Sequence, residues 1–253
     1  MQTQLTIIIP TLNSERYIAR TLACIKKQTY KKYTIFIADG GSSDSTLNFL
    51  KKSKLKYKVI SKKDTSTEDG INKCLKKIKT NYFTILGSDD FYNNKCYLKN
   101  LVKCIKEKKC DISFPDLAFV HNSRIIKKPQ DAIFSKIIYK PILPGFGWVA
   151  KKKISKFLFS TNYKVATDYD LLLRIYKKKY KFYREKKAIY CFRLGSKSYL
   201  NYFKSVKEVR EIALKFNGPK FFIWNFYLYS NFKFIIKKLL KKNKLIFNYF
   251  FQF

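Results

Sequence analysis

Over the first hundred residues, short apolar runs alternate with stretches whose apolar positions recur every three or four residues. LTIIIP (Leu5 to Pro10) predicts a buried strand, and Ser14 to Lys27 a helix. TIFIAD (Thr34 to Asp39) predicts a second strand, followed by a helix opening near Ser43 or Asp44. KYKVIS (Lys56 to Ser61) is the third strand, before a helix over Asn72 to Ile78, and YFTILG (Tyr82 to Gly87) the fourth, before a helix near Lys95 to Lys106. Strands that are β-branched and apolar on both faces, alternating with helices, predict an α/β fold on a mostly parallel sheet. Strand-like pieces resume at Ile112 to Val120 and Arg124 to Lys127, a helix spans Asp168 to Lys179, and Ala188 to Arg193 reads as a late strand.

From about Tyr199 the texture changes. Residues 212 to 253 hold no Asp or Glu, 8 Lys and 14 aromatic residues. This predicts two parts, an α/β domain over residues 1–200 and a helical basic and aromatic appendage over 201–253, with no Gly/Ser/Pro-rich linker between them. Its longest apolar stretch, Phe221 to Phe232, is interrupted by Asn and Ser and closed by Lys, and is too short to span a bilayer as a helix. It suits an interfacial helix on an anionic membrane surface, or alternatively a cap on the α/β core or a dimer contact. MQTQLTIII has neither the basic nor the long apolar region of a signal peptide, so a cytoplasmic protein, peripheral on the inner face of the membrane, is expected.

Composition adds one unusual number. Apolar residues make up 46% and charged residues 28%, ordinary for a globular chain, but 54 basic against 17 acidic residues give +37. Such a field attracts polyanions and anionic membranes and says nothing about fold. Only 7 of the basic residues are Arg, and no RNA- or DNA-binding signature accompanies them, so no nucleic-acid partner is expected. The six cysteines form no C-x-x-C pair and the single His121 has no ligand neighbour, so free thiols and no zinc site are expected, with His121 in a surface turn.

In so basic a chain the placement of acids is informative. Residues 39 to 90 hold Asp39, Asp44, Asp64, Glu68, Asp69, Asp89 and Asp90, twice an even share. Asp39 follows the second strand, and Asp89 and Asp90 the fourth; groups just past the carboxyl ends of parallel strands line the ligand crevice of an open sheet. Adjacent Asp89 and Asp90 suit a Mg2+ or Mn2+ ion whose other ligands are waters and a bound phosphate. The alternative is a helix cap with a first-turn acid. Gly40 and Gly41 of DGGSSD permit either a tight turn or close approach of a ligand.

Taken together, these segments resemble glycosyltransferase family 2 with the GT-A nucleotide-sugar-binding fold. IIIPTLNSERYIARTLACIKKQTY is similar to the family's opening, and IADGGSSDST (Ile37 to Thr46) to its Asp-Gly-x-Ser-x-Asp-x-Thr turn. DTSTEDGINKCL (Asp64 to Leu75), LGSDD, and ATDYDLLLR (Ala166 to Arg174) resemble, in order and spacing, three motifs of a bacterial surface-polysaccharide subgroup. The likeness covers about residues 4 to 200.

The resemblance implies an inverting, metal-dependent enzyme that moves a sugar from a UDP-sugar to a glycan or lipid-linked acceptor, as in capsule, lipooligosaccharide or O-antigen synthesis. It implies roles for named residues. Thr11 and Asn13 would touch the nucleoside, and Asp39 would accept from the uracil N–H. Asp64, Asn72, Lys73 and Ser88 would line the donor pocket. Asp89 would hold the ribose or sugar and share with Asp90 the Mn2+ or Mg2+ ion. Asp168 would be the general base. Asp170 competes for that role, but positions i and i+2 of a helix point to different faces. Arg174 is a candidate partner for a carboxylate or the diphosphate. Three departures are notable: Cys74 replaces a Gly, Ile71 stands where many relatives carry an Arg, so that Lys73 would supply the charge, and PGFGWVAKKK lacks a common His. Phe146 and Trp148 there would form either a sugar platform or core. Retention of Asp39, Asp89, Asp90 and Asp168 argues against the alternative of a catalytically silent binding relative.

Overall fold

The computed structural model describes residues 4–61, 64–121, 124–127, 134–193 and 201–240. In chain order the elements are β1 (Leu5–Thr11), α1 (Glu15–Lys26), β2 (Tyr33–Asp39), α2 (Thr46–Lys52), β3 (Tyr57–Ser61), α3 (Thr67–Lys76), β4 (Tyr82–Ile85), β5 (Phe91–Tyr92), α4 (Tyr97–Glu107), β6 (Ile112–His121), β7 (Arg124–Lys127), β8 (Val149–Lys151), α5 (Thr167–Lys177), β9 (Phe182–Arg193), α6 (Tyr202–Lys215) and α7 (Lys220–Leu240). Short 3-10 turns cover Phe134–Ile138 and Lys152–Lys156.

The strands form one sheet in the order β3-β2-β1-β4-β8-β6-β9-β5, with β7 paired to β6. The β3-β2-β1-β4 half is wholly parallel, and β6 and β9 are also parallel. β8 lies antiparallel between β4 and β6, and β5 and β7 are antiparallel additions. Alternation along β1 and β2 sorts side chains into two layers. Leu5, Ile7, Ile9, Ile35 and Ile37 meet Ile18, Leu22 and Ile25 of α1 and Leu98, Leu101 and Ile105 of α4. Ile8, Phe36, Phe83 and Ile85 face Ile71 and Leu75 of α3 and Leu172 and Ile175 of α5. Helices on both faces cover a sheet whose central strands are mostly apolar, with Thr6, Thr84 and Ser113 among the buried polar exceptions, as is usual for parallel strands covered on both sides.

The expected strands and helices are present, with shifted bounds. α3 opens at Thr67, five residues before the expected start, because Ser66 caps it: its hydroxyl accepts from the Asp69 N–H at 3.1 Å. β9 begins at Phe182, six residues early, through a polar Arg-Glu-Lys-Lys stretch that sequence patterning discounts. β5 and β8, of two and three residues, are too short to show a period. His121 closes β6 and pairs in register with Arg124; the two residues between them lie outside the described ones.

Val209, Ile212 and Ala213 of α6, with Ile223 of α7, join the same cluster as α3 and α5. α7 is different. Phe221, Trp224, Leu228, Tyr229 and Phe232 are exposed, while Ile223 and Ser230 face inward. Among the described residues no helix is long and apolar enough to cross a membrane.

Ile212→Ala tests the shared core. Removing a fully buried side chain should cost about 2–5 kcal/mol in denaturant unfolding, as in other large-to-small core substitutions. Phe232→Ser, on the exposed side of α7, should leave the unfolding midpoint unchanged. An Ile212→Ala midpoint equal to that of the parent would make α6 a peripheral element.

Candidate active site

The loops after β1 and β2 are knitted together by side chains. Asn13 adopts a positive φ of 47°, which Asn tolerates better than most residues. Its Oδ1 accepts from the Ser43 N–H at 3.0 Å, and its own N–H donates to the Ser42 hydroxyl at 3.0 Å. The Ser14 N–H donates to the Thr46 hydroxyl, the Glu15 N–H to Asp44, and the Ser45 N–H to Glu15. Asp39 is the hub. Its Oδ1 accepts from the Thr11 hydroxyl at 3.0 Å and the Ser42 hydroxyl at 2.6 Å, and its Oδ2 from the N–H groups of Gly41 and Ser42. These four donors fill the acceptor positions of a carboxylate. Asp39 therefore holds its own turn in this structure, and a base N–H reaches it only by displacing the Thr11 or Ser42 hydroxyl.

The carboxylate pair after β4 divides into two unlike members. Asp90 is 2% exposed. Its Oδ2 accepts from the Tyr190 hydroxyl at 2.6 Å and its Oδ1 from the Arg193 N–H at 3.0 Å. Burial pushes its carboxyl up to about 7, and the neighbouring Asp89 charge adds to this. Asp89 is more open and meets the Arg193 guanidinium at 3.3 Å. Arg193 also lies 3.7 Å over the Tyr17 ring. Of the two carboxylates expected to share a metal ion, Asp90 is buried with both oxygens engaged, and Asp89 is the more open. Beside them Ser88 shares a 2.8 Å hydrogen bond with the Ser14 hydroxyl, and Thr21 donates to the carbonyls of Ser88 and Asp90.

Asp168 sits in the first turn of α5, against Gly145, where any side chain would collide with its carboxyl. Ile137, Pro141, Ile142, Leu143, Tyr169 and Leu172 line a small apolar cleft beside it. Burial pushes its carboxyl up to about 6, offset by the Tyr169 N–H donating at 2.8 Å and reinforced by the Glu68 charge. Glu68 accepts from the Thr167 hydroxyl, which brings the start of α3 to the start of α5. Asp170 has a different fate. It is buried and paired at 2.8 Å with Arg174, which also donates to the Leu158 carbonyl. That pair is internal, and among the described residues Asp168 has no cationic partner.

The segment from Gly145 to Gly147 connects Asp168 to the carboxylate pair. The Gly147 N–H donates to the Ile85 carbonyl at the end of β4. Gly147 has φ 89° and lies flat against the Tyr190 ring, whose hydroxyl holds Asp90. The Trp148 indole donates to the Gly145 carbonyl at 2.9 Å and the Tyr97 hydroxyl to the Gly147 carbonyl at 2.8 Å. Trp148 is buried edge-on against Phe83 and belongs to the core, not to a sugar platform. Phe146 is half-buried, edge-on to Phe159.

Other expected site residues are placed elsewhere. The Asn72 side chain clamps the backbone of Phe159, donating to its carbonyl at 2.9 Å and accepting from its N–H at 2.8 Å. It is a structural tie rather than a donor-pocket group. Lys73 lies between Asp64 at 2.9 Å and Asp69 at 2.8 Å, its charge already matched. Ile71 and Cys74, the two departures in α3, are fully buried core residues. The sequence reading missed Tyr190 and Arg193, whose strand it recognised but whose reach back to Asp89 and Asp90 spans about a hundred residues of chain.

With this geometry in hand, the comparisons are direct. A model of glycosyl transferase family 2 matches residues 6–203, and the chain belongs to that family. Its sheet and flanking helices are the GT-A fold. Among curated relatives, a Methanococcus voltae dolichyl N-acetyl-alpha-D-glucosaminyl phosphate 3-beta-D-2,3-diacetamido-2,3-dideoxy-beta-D-glucuronosyltransferase is 28% identical over 206 residues, covering 71% of this chain and 63% of that protein. The Staphylococcus aureus (strain Mu50) poly(ribitol-phosphate) beta-N-acetylglucosaminyltransferase TarS is 34% identical over 113 residues, 42% of this chain and 20% of its own. The chain thus spans less than two thirds of these relatives' length. In structure it superposes on S. aureus TarS in complex with UDP-GlcNAc with a TM-score of 0.68 at 22% identity, covering 92% of this chain and 73% of that one. The Pyrobaculum calidifontis mannosyltransferase PcManGT, in complex with GDP-Man and Mn2+, gives 0.69 at 18% identity, with 91% and 70% covered.

Because the folded protein prefers Asp168 protonated up to about pH 6, its ionisation opposes folding at neutral pH. The folded value lies above the ordinary one of 3.8, so this cost is absent below the ordinary value and complete above about 6. Asp168→Asn should therefore raise Tm at pH 7.5, and the gain should fade as pH falls toward 4. A Tm gain that is absent at pH 7.5, or independent of pH, would show that the carboxyl is not strained by burial.

Proposed function

We propose that the protein is an inverting glycosyltransferase that moves a sugar from a UDP-sugar to a hydroxyl of a glycan or lipid-linked acceptor in cell-surface polysaccharide synthesis. One observation carries the reading: a half-buried carboxylate, Asp168, pushed up to about 6 and without a cationic partner among the described residues, lies one short segment away from an open carboxylate, Asp89, at the carboxyl edge of a parallel sheet. A base with that affinity is mostly ionised at neutral pH and still basic enough to take a proton. In the proposed step the acceptor oxygen attacks the anomeric carbon as Asp168 takes its proton. The bond from that carbon to the diphosphate oxygen breaks on the opposite side, and UDP leaves with the electron pair. The configuration inverts, and no covalent intermediate on the protein is required.

The donor would lie across the ends of β1, β2 and β4, with Thr11, Asn13 and Asp39 toward the nucleoside and Ser88 and Asp89 toward the ribose and diphosphate. Among the described residues no three His, Cys, Asp or Glu side chains form a metal cage. The donor set of one open carboxylate over a buried one fits a Mn2+ or Mg2+ ion that completes its shell with water and diphosphate oxygens. Asp89 would hold that ion, with Asp90 fixing the turn beneath. When bound, the ion would offset charge on the departing diphosphate. Arg193, ion-paired to Asp89 and supported by the Tyr17 ring, is placed to share that role. Lys73 would do so only by leaving Asp64 and Asp69.

A panel of UDP-sugars with and without Mn2+, read by thermal shift and UDP release, tests this. One donor should stabilise the protein, more strongly with the metal. Asp89→Asn should abolish the metal-dependent part. Asp168→Asn should keep donor binding and lose about 10²–10⁴-fold in turnover, the usual cost of a missing general base. Wild-type turnover should fall as pH drops through about 6. Full turnover by Asp168→Asn would remove the carboxylate from the chemistry.

We also propose that α7 lays the protein on an anionic membrane surface that presents a lipid-linked acceptor. The exposed stripe of Phe221, Trp224, Leu228, Tyr229 and Phe232 is larger than scattered surface apolar residues require. No acidic side chain follows position 211, so the same helix is electrostatically matched to anionic headgroups. The further basic and aromatic residues from Lys241 to Phe253, to which the interfacial expectation also extends, lie outside the described residues. The protein should float with anionic vesicles, less so in high salt. Phe221→Ser/Leu228→Ser/Phe232→Ser should abolish flotation without lowering Tm. Flotation of that variant equal to wild type would rule the stripe out.

A further inference from the structure

Glu208 of α6 is one of the few buried acids of the chain, and the proposed chemistry makes no use of it. Its carboxylate accepts from three successive backbone N–H groups that lead into α5: Lys164 at 3.1 and 3.2 Å, Val165 at 2.8 Å and Ala166 at 2.9 Å. Ala166 is the residue before the first turn of α5, and Asp168 is the second residue of that helix. N–H groups at a helix start otherwise need water or a capping side chain, and Ala166 has no side chain able to cap. The carboxylate is reached from forty residues further along the chain, from a helix whose other buried face is bolted into the core by Val209 and Ile212.

We propose that Glu208 is the positioning residue for Asp168: it holds the turn at residues 164–166, and through it the height and direction of the first turn of α5. On the opposite side that turn is bounded by Gly145, packed on the Asp168 carboxyl, and by Glu68, bonded to Thr167. A carboxylate can accept all the N–H groups at once. An amide of the same size offers one oxygen and turns an NH2 group toward the remaining donors. Glu208→Gln keeps the volume and breaks the grip. The consequence falls on the reacting geometry, where displacement by about an ångström costs on the order of 10²-fold.

The proposal rests on Asp168 being the base, and its test separates the two. Hydrogen exchange of the wild type should show the amides of Lys164, Val165 and Ala166 protected, although they precede the helix. Exchange at the rate of an open loop would overturn the grip without any variant being made. Glu208→Gln should expose these three amides, leave the UDP-sugar thermal shift and donor KM unchanged, and lower kcat by about 10–100-fold. A kcat equal to wild type with the amides exposed would make Glu208 a stabilising tie only. Equal losses in donor KM would show general disruption of the fold and equally overturn the proposal. If the wild type releases no UDP from any donor, the transferase reading fails, while the exchange result still decides the grip.

Discussion

The Tyr190 hydroxyl is the junction on which the site depends. It accepts from the Gly87 N–H at 3.2 Å and donates to the buried Asp90 at 2.6 Å. A buried carboxylate without donors is costly, so Asp90 cannot relax away from Tyr190. The same ring forms the wall against which Gly147 lies, and a side chain at position 147 would meet it. One residue of β9 thereby fixes three things: the turn after β4 that presents Asp89, the buried carboxylate beneath it, and the segment that leads to Gly145 and Asp168.

This arrangement gives the two adjacent aspartates opposite duties. Their charges repel, and burial already pushes Asp90 up to about 7. The protein resolves this by enclosing one carboxylate with a hydroxyl and an N–H and leaving the other to Arg193 at the surface. The same division appears around α5, where Asp170 is neutralised by Arg174 and Asp168, without a cationic partner among the described residues, lies beside apolar side chains. In each pair the structural acid is the one with a complete set of donors. The proposed chemistry uses the other member, Asp89 in one pair and Asp168 in the other.

Much of this was legible in the sequence because it is local. The β-branched runs of β1, β2 and β4 mark buried parallel strands, and Asp39, Asp89 and Asp90 follow their ends by chain order alone. Helical geometry says only that Asp168 and Asp170 face different ways, and the choice of Asp168 came from the resemblance. What was not legible is what the acids touch. Asp90 and Asn72 look like ligand-facing residues in a motif. Tyr190 and Phe159, the partners that turn them inward, stand about ninety to a hundred positions away. Trp148 could have been a sugar platform or core, and its burial in a T-shaped contact with Phe83 decides for core. The basic, aromatic texture after residue 200 hid the fact that α6 contributes a buried apolar stripe, in which Val206, Val209, Ile212 and Ala213 determine packing.

The placement of α6 changes how the two ends of the chain relate to the chemistry. A helix that only covered the core would need apolar side chains and no buried acid. α6 has both, and its acid is directed at the one turn that aims the proposed base. The helix that follows, α7, is joined to α6 by the Tyr202 hydroxyl donating to the Ser230 carbonyl and by Arg210 lying over the Trp224 and Tyr227 rings. Contacts made by the outer face of α7 are therefore two packed helices away from Asp168, through rigid side-chain contacts rather than a linker. A surface that holds a lipid-linked acceptor and a turn that orients the base for that acceptor's hydroxyl would then belong to one mechanical unit, which a chain with a separable tail could not provide.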